Sequence, residues 1–190
     1  MIIEDDESSG SSGGIKLDGA NGTVYTVAMD DGGKVLLGGE FSNVNGKDLP
    51  RLAKISERGV VDDSFGLGEG PNNTVYDVVP ARDGGYWVGG LFSQVGETVA
   101  SHVAKLASDG SLDDSFNSSN TVDGTVFDIL EVEEGLLVGG DFGLAMLNRD
   151  GTVNDSFQSP ALDGAVYAIS ASPGRQIVIA GGFTTLNGEK

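Results

Sequence analysis

Acidic turns contain the residues of this chain with the clearest capacity for chemistry. Asp109, Asp113 and Asp114 lie within six residues of one another, and an oxygen-rich turn of this kind can bind a calcium ion. The spacing does not match the EF-hand pattern, and a later copy of the same turn has Asn154 before Asp155. Aspartate also hydrogen-bonds the local backbone of a turn without any ion. We therefore interpret these residues as turn-capping groups and predict no metal ligands.

The chain has one histidine and no cysteine, which limits the sites that it can build. His102 occupies the position of Arg51 in another copy of the same segment, so we expect its side chain to face solvent. A single exposed histidine completes neither a catalytic triad nor a multi-histidine metal site. Without cysteine, neither a disulfide nor a thiolate metal site can form.

Paired carboxylates are the remaining route to hydrolytic chemistry. Glu40 and Asp141 occupy equivalent positions before a phenylalanine, but Leu91 and Gly182 take that position in two other copies. No carboxylate pair is therefore set apart from its copies. We predict that the chain is not an enzyme and has no catalytic residues and no cofactor, and a hydrolase is the less favoured alternative.

The overall charge excludes several kinds of partner. The chain has 11 basic and 29 acidic residues and a net charge of -18, which repels phosphate backbones and anionic lipid surfaces. No apolar stretch reaches the roughly 20 residues of a membrane-spanning helix. We predict no nucleic-acid partner and no membrane insertion.

Residues 1–21 are predicted to form a flexible arm. The segment begins with acidic residues, continues with a run of serine and glycine, and lacks the basic and apolar regions of a secretory signal. If the arm is native, the chain is made without export by that route. This origin suits a particle that is assembled in the cytoplasm.

Residues 22–190 repeat one phrase of about fifty residues. The predicted units are 22–71, 72–121, 122–161 and, in part, 162–190. The third unit lacks nine residues that match Ser42 to Pro50 of the first unit. Since this segment can be absent without disturbing the sequence that follows, we expect it to be a surface loop.

Each unit consists of short predicted strands. Residues 23–29 are rich in β-branched and aromatic side chains, a turn follows at 31–33, and an apolar segment resumes at 34–37. A third strand is predicted at 51–55, and no window has helical periodicity. About fifty residues per unit fit a propeller blade better than a β-helix coil. We predict an all-β, β-propeller-type repeat array of about three and a half blades, each with three to four antiparallel strands.

A glycine pair ends the second predicted strand. The two positions are occupied by Gly38 and Gly39, Gly89 and Gly90, Gly139 and Gly140, and Ala180 and Gly181. We expect only the second position to require glycine, because of a positive φ or because the backbone approaches too closely for a Cβ. A phosphate-binding loop would need a following helix, which the sequence does not predict.

An Asp-Ser-Phe phrase ends the first three units, at Phe65, Phe116 and Phe157. These rings could stack on a sugar. We expect each instead to be buried between adjacent units, because a repeat buries its core against its neighbours. Trp87, which replaces Leu36 of the first unit, is expected to fill the core.

The segments from Gly22 to Gly46 and from Ala104 to Phe116 resemble the delta-sixty repeat, a β-propeller family of largely unassigned function. The resemblance extends over nearly all of residues 22–190. It implies a tandem array in bacterial surface or secreted proteins or in phage virions, and it implies no catalytic residues. The shortened third unit and the fourth unit, which ends at Lys190, depart from the family pattern.

These features predict a non-catalytic structural and interaction module of a virion appendage such as a phage tail, or of another extracellular or cell-surface assembly. A glycan-binding lectin or adhesin is the alternative, because both classes use repeated loops on one face. The fourth unit has no predicted third strand, and Ile15 to Gly19 could supply one by imitating Ala104 to Leu106. We favour a neighbouring chain for that role and expect an oligomer. The expected partners are copies of the chain or other subunits, and surface glycans in the alternative.

Overall fold

The computed structural model describes residues 19–116, 122–174 and 176–190, and every regular element in them is a β-strand. The segment that could close the array lies outside the described residues, except for Gly19. The predicted arm at 1–21 also lies almost entirely outside them.

Fifteen strands follow one another in the described residues. They are β1 (Val24–Met29), β2 (Val35–Gly39), β3 (Asn43–Val44), β4 (Lys47–Asp48), β5 (Leu52–Ile55), β6 (Val75–Pro80), β7 (Tyr86–Gly90), β8 (Gln94–Val95), β9 (Thr98–Val99), β10 (Val103–Leu106), β11 (Val126–Glu131), β12 (Leu136–Gly140), β13 (Gly143–Leu147), β14 (Val166–Ala171) and β15 (Ile177–Gly181).

Sequential strands pair into four sheets, which we call blades 1 to 4. The strand orders are β1-β2-β5, β6-β7-β10, β11-β12-β13 and β14-β15, and the short pairs β3-β4 and β8-β9 are separate hairpins. All of these pairings are antiparallel. The prediction of an all-β, β-propeller-type array is confirmed, and blades 1 to 3 have three strands each.

The first strands of successive blades lie next to one another, since β6 contacts β1 on one side and β11 on the other, and β11 contacts β14. Every first strand has a β-bulge at the same place, where its pairing with the second strand shifts. The residue at the shift is Tyr25, Tyr76, Phe127 or Tyr167. A bulge re-aims the side chains around it, and these positions form the candidate site described below.

The hydrophobic core lies between neighbouring blades. One buried cluster joins Leu36 and Leu52 of blade 1 to Val75 and Val78 of blade 2. Equivalent clusters join blade 2 to blade 3 and blade 3 to blade 4. Each blade therefore depends on its neighbours for burial, as expected for a repeat array.

The aromatic residues of the Asp-Ser-Phe phrase belong to these interblade clusters. The ring of Phe65 in blade 1 packs edge-on against Tyr86 of blade 2, with 5.8 Å between centroids. Phe116 is buried in the cluster between blades 2 and 3, where it packs against Trp87 at 5.1 Å. Phe157 is partly buried in the next cluster. The expected interblade position of the three phenylalanines and the expected core position of Trp87 are confirmed, and Phe116 is the one of the three rings that is fully buried.

The second glycine of each pair is required by a close backbone approach. A Cβ at Gly39, Gly90, Gly140 or Gly181 would lie 2.0, 2.2, 2.2 or 2.0 Å from a carbonyl oxygen at the start of its own blade's first strand. None of the four has a positive φ. The expected requirement for glycine is confirmed, and steric contact with the backbone is its cause.

The first glycine of each pair is required by the next blade, so the expectation that only the second position demands glycine is wrong. A Cβ at Gly38 would lie 2.6 Å from a methyl group of Val75, and one at Gly89 would lie 2.8 Å from Val126. In blade 4 the position is Ala180, and no later blade among the described residues packs on it. The alanine at this position of blade 4 therefore reflects an uncovered face, and it does not show that the first position accepts a side chain in blades 1 to 3.

The segment from Ser42 to Pro50 is a hairpin with one buried side chain. Val44 is 1% exposed and packs with Phe41 and Ala53, which corrects the expectation of a simple surface loop. In blade 3 the chain instead passes directly from Phe142 to Gly143. A hairpin that covers part of the core of blade 1 is therefore absent from blade 3.

Candidate functional site

Four aromatic rings form a continuous row across the first strands. Tyr25, Tyr76, Phe127 and Tyr167, which we call the aromatic row, have neighbouring centroids 5.0, 5.3 and 5.3 Å apart. The contacts between Tyr76, Phe127 and Tyr167 are edge-to-face, a favourable arrangement for aromatic pairs. The two ends of the row are the more open, since Tyr25 is 46% exposed and Tyr167 is 56% exposed.

The residue after each of the first three aromatic rings carries a polar bridge to the next blade. Thr26 donates a hydrogen bond to Asp77 at 3.2 Å. Asp77 in turn accepts one from the backbone amide of Ile129 in blade 3 at 2.9 Å. Asp128 accepts one from the amide of Ile169 in blade 4. We call Thr26, Asp77 and Asp128 the polar bridge, because each side chain reaches across one interblade interface.

Two carboxyl groups therefore meet inside the array. Burial, with a smaller contribution from the neighbouring Asp77 carboxylate, raises the pKa of Asp128 to about 7. Burial also raises the pKa of Asp77, against the effect of the amides that donate to it. Sequence reasoning missed this pair. The signal that could have found it is the position after the aromatic residue, which holds aspartate in two consecutive units.

Lysine side chains fill the outer part of the first two interfaces. The ammonium of Lys54 lies 3.2 Å from Asp30 and 5.0 Å from the ring centroid of Tyr86. Lys105 lies 5.1 Å from the centroid of Trp87, and it pairs with Asp113 at 3.3 Å. These contacts combine an ion pair with a cation–π interaction.

The third blade replaces this charged arrangement with a neutral one. At the equivalent positions Asn154 lies 3.8 Å from the sulfur of Met146. A cleft of about 470 Å³ opens nearby between blades 3 and 4, with Leu137 and Phe157 among its apolar residues. Its buried carboxylate, Glu131, accepts a hydrogen bond from the backbone amide of Arg82 at 2.9 Å. The acid is thus already partnered within the protein.

The turn aspartates have the role that the sequence predicts. Asp109 and Asp113 each accept hydrogen bonds from the backbone amide and the hydroxyl of the serine two residues later. The equivalent bonds to Ser64 hold the pKa of Asp62 at about 2, with the hydroxyl as the largest cause. The turn-capping interpretation is confirmed for Asp109 and Asp113. Within the described residues, no group of three histidine, cysteine, aspartate or glutamate side chains could hold a metal ion.

The predicted exposure of His102 is wrong. The residue is partly buried, and its Nδ1 atom is buried with no hydrogen-bond partner in the described part of the chain. Its backbone has a φ of 67°, close to the 66° of Arg51 in the equivalent place and the 92° of Gly143. The three residues thus share one left-handed position at the start of the last strand in blades 1 to 3. The role of His102 is therefore to turn the chain.

The other carboxylates singled out from the sequence are not arranged as a catalytic pair. Glu40 accepts a hydrogen bond from the hydroxyl of Tyr25 at 3.0 Å, which raises the pKa of that tyrosine. Asp141 lies in the turn between β12 and β13. The two belong to blades 1 and 3, with blade 2 between them.

The outer faces of the array are open. On blade 1, the first-strand side chains Val24, Val27 and Met29 are 37%, 64% and 66% exposed, and we call them the blade 1 face. The residues equivalent to Val24 in blades 2 to 4 are each 0% exposed. On blade 4, Ala168, Val178 and Ala180 are exposed, and we call them the blade 4 face. Among the described residues, no helix is long and apolar enough to cross a membrane.

A comparison with protein families agrees with this architecture. A family model described as "Domain of unknown function (DUF5122) beta-propeller" matches residues 33–65 and 82–116. The match supports a β-propeller repeat family. A solved structure of the extracellular domain of a protein described as a one-component system from B. thetaiotaomicron is similar at 13% identity and a TM-score of 0.45. That similarity covers 82% of this chain and 25% of the other, so the chain spans a quarter of the length of that relative. No curated protein matches the chain.

Proposed function

We propose that the chain is a non-catalytic structural and interaction module whose outer faces bind neighbouring subunits of an assembly. The observation that carries this proposal is the exposure of Val27, which is 64%, against 3% for Val78 and 4% for Ile129 at equivalent positions. An apolar face that the array buries repeatedly inside itself is left open on blade 1. Exposed apolar surface of this kind is typical of sites that another polypeptide covers.

The proposed setting is a virion appendage such as a phage tail, or another extracellular or cell-surface assembly. The resemblance to the delta-sixty repeat supports this setting, since that family occurs as tandem arrays in such proteins. The net charge of -18 favours protein partners over nucleic acid and anionic membranes.

The buried carboxyl pair supports a structural role rather than hydrolysis. Asp77 already accepts hydrogen bonds from Thr26, Ile129 and its neighbour Val78. A general acid or base must instead reach the atoms of a substrate. We therefore assign the pair to the connection between blades.

Glycan binding is the second candidate, and the aromatic row is the observation that favours it. Tyr25 and Tyr167 expose about half of their surface, and exposed rings can stack on sugars. The inner rings contact one another, so the end rings are the surfaces available for stacking. A glycan array in which Tyr25→Ala and Tyr167→Ala abolish a signal that Tyr25→Phe retains would support the lectin. Turnover of an oligosaccharide would support an enzyme instead.

Site-specific photo-crosslinking in the native source tests the interaction module. A photoreactive phenylalanine at position 27 or 178 is expected to form a covalent product with another polypeptide. The same residue at Glu57, an exposed turn position on blade 1, is the matched control and should form little product. Equal yields from all three positions, or none from positions 27 and 178, would contradict the proposed function.

A further inference from the structure

The three internal interfaces share the same apolar parts. A glycine of the middle strand, at position 38, 89 or 139, receives a valine side chain from the next first strand. Those valines are Val75, Val126 and Val166. A bridge residue of the earlier blade also reaches the later one, where the amides of Ile129 and Ile169 donate to Asp77 and Asp128. The second and third interfaces thus have a giving face with glycine and an acceptor, and a receiving face with two apolar side chains. In the first interface the bridge residue Thr26 instead donates to Asp77, which also accepts from the Val78 amide of its own blade.

The blade 1 face has the receiving half of this interface. Val24 and Val27 occupy the positions of Val75 and Val78, which are 0% and 3% exposed in blade 2. The same strand, the same bulge and the same side chains are present. A partner that covers Val24 and Val27 should therefore resemble the surface of blade 1 that covers Val75 and Val78.

The blade 4 face does not have the giving half. Ala180 stands in the glycine position, and Ala168 stands where blades 2 and 3 have Asp77 and Asp128. In each internal interface a Cβ at the glycine position would lie 2.6 to 2.8 Å from a valine methyl group of the next blade. A methyl group at Ala180 would meet Val24 of a second copy in the same way, and Ala168 would offer no acceptor.

We propose that the blade 1 face binds a β-blade of a different subunit, one with a glycine opposite Val24 and a hydrogen-bond acceptor opposite the Val27 amide. This inference rests on the proposed function and goes further, because it specifies the chemistry of the partner surface. It also makes a second copy of the chain the wrong partner, which revises the sequence-based expectation of self-assembly.

Two substitutions on the blade 4 face test the inference with the purified chain. Ala168→Asn supplies an acceptor without placing a new charge beside Asp128, and Ala180→Gly removes the obstructing methyl group. Both positions are exposed, so folding should be retained, and circular dichroism checks this. The matched control is Ala171→Gly, at another exposed alanine of β14.

Multi-angle light scattering is expected to give the mass of one chain, 19.5 kDa, for the unmodified protein and for the Ala171→Gly control. The Ala168→Asn, Ala180→Gly double variant should show at least a doubling of mass, as its blade 4 face binds the blade 1 face of another copy. Adding Val27→Asp should return it to one chain, because the aspartate would place a charge against the apolar interface.

Two results would overturn the inference. One is a folded double variant that remains a single chain, which would show that glycine and an acceptor are not what the blade 1 face needs. The other is an unmodified protein that associates and is dissociated by Val27→Asp, which would make a second copy the partner. Either result leaves crosslinking at position 27 free to support the interaction module, so the two proposals fail separately.

Discussion

Blades 2 and 4 share the first two strands of the repeat and differ in what covers them. Gly89 of blade 2 lies beneath Val126 of blade 3, whereas Ala180 occupies that place on the open face of blade 4. The following position is glycine in both blades, at Gly90 and Gly181, and in both it faces a backbone carbonyl of its own sheet. The glycine pair therefore has two causes. The second glycine is required by packing within its own sheet, and the first is required by contact with the next blade.

The largest expected effect comes from the glycine that the blade itself requires. Gly90→Ala would place a Cβ 2.2 Å from the carbonyl oxygen of Thr74, and the backbone must shift to relieve it. We expect a loss of about 3 kcal/mol in the free energy of unfolding, at the upper end for overpacking. Urea denaturation measures it.

The neighbouring glycine is the matched comparison. Gly89→Ala meets side chains of Val126 and Ile129, which can move, and should lose about 1 to 2 kcal/mol. Ala180→Gly on the open face should change stability by less than about 1 kcal/mol, the usual cost of glycine in a strand. Equal losses for Gly89→Ala and Gly90→Ala would remove the distinction between the two causes.

The next largest effect concerns the polar bridge, which is present only on blade faces that another blade covers. Asp77→Ala removes the acceptor of the Ile129 amide and leaves that group unpaired in the interface between blades 2 and 3. We expect a loss of about 2 kcal/mol, the cost of an unsatisfied buried donor. Asp63→Ala, at an exposed turn position, should have little effect on the urea midpoint.

A smaller effect is expected from shortening blade 1 to resemble blade 3. Deletion of residues 42–50 with Arg51→Gly joins Phe41 to the left-handed position that Gly143 occupies in blade 3. The loss of Val44 from the core should cost about 1.5 kcal/mol, the lower end of the range for a buried apolar side chain. The β-type circular dichroism spectrum should be retained. Loss of cooperative unfolding would show that the hairpin is essential to the blade.

The smallest single step in stability, at most about 1.4 kcal/mol per pH unit, is a dependence on pH that the buried carboxyl pair predicts. The pKa of Asp128 is raised to about 7 in the folded protein, so the folded state binds the proton more tightly than the unfolded state. The stabilisation is fully present below the unfolded pKa of about 3.9 and is lost as the pH rises towards 7. Asp128→Asn keeps an oxygen for the Ile169 amide and should flatten the urea midpoint over this range. An unchanged profile in that variant would assign the dependence to other groups.

Several parts of this architecture could be predicted from the sequence because their causes are local. The alternation and turn residues of 23–37 predict the hairpin of blade 1, and the recurrence of Phe65, Phe116 and Phe157 predicts their burial between blades. The turn role of Asp109 and Asp113 also follows from residues two positions away.

Other parts depend on contacts between units and were therefore hidden. Asp77 and Asp128 are far apart in sequence, and only the repeated bulge brings their side chains together across an interface. Ala180 made the first glycine position look optional, because the sequence alone does not show that this face of blade 4 is open. Val44 looked dispensable for a similar reason, since its burial depends on how the hairpin folds back on Phe41 and Ala53.

The confinement of the core to interfaces between neighbours has a consequence for how the molecule opens. Strands pair only within one blade, and each interblade core cluster joins only two neighbouring blades. Disruption of one blade therefore removes burial from its immediate neighbour and leaves more distant blades intact. Blade 4 has two strands, and every residue of β15 is at least partly exposed. Its amides should exchange with deuterium well before those of blade 2, which is covered on both sides. Unfolding should then begin at blade 4 and advance towards the middle of the array.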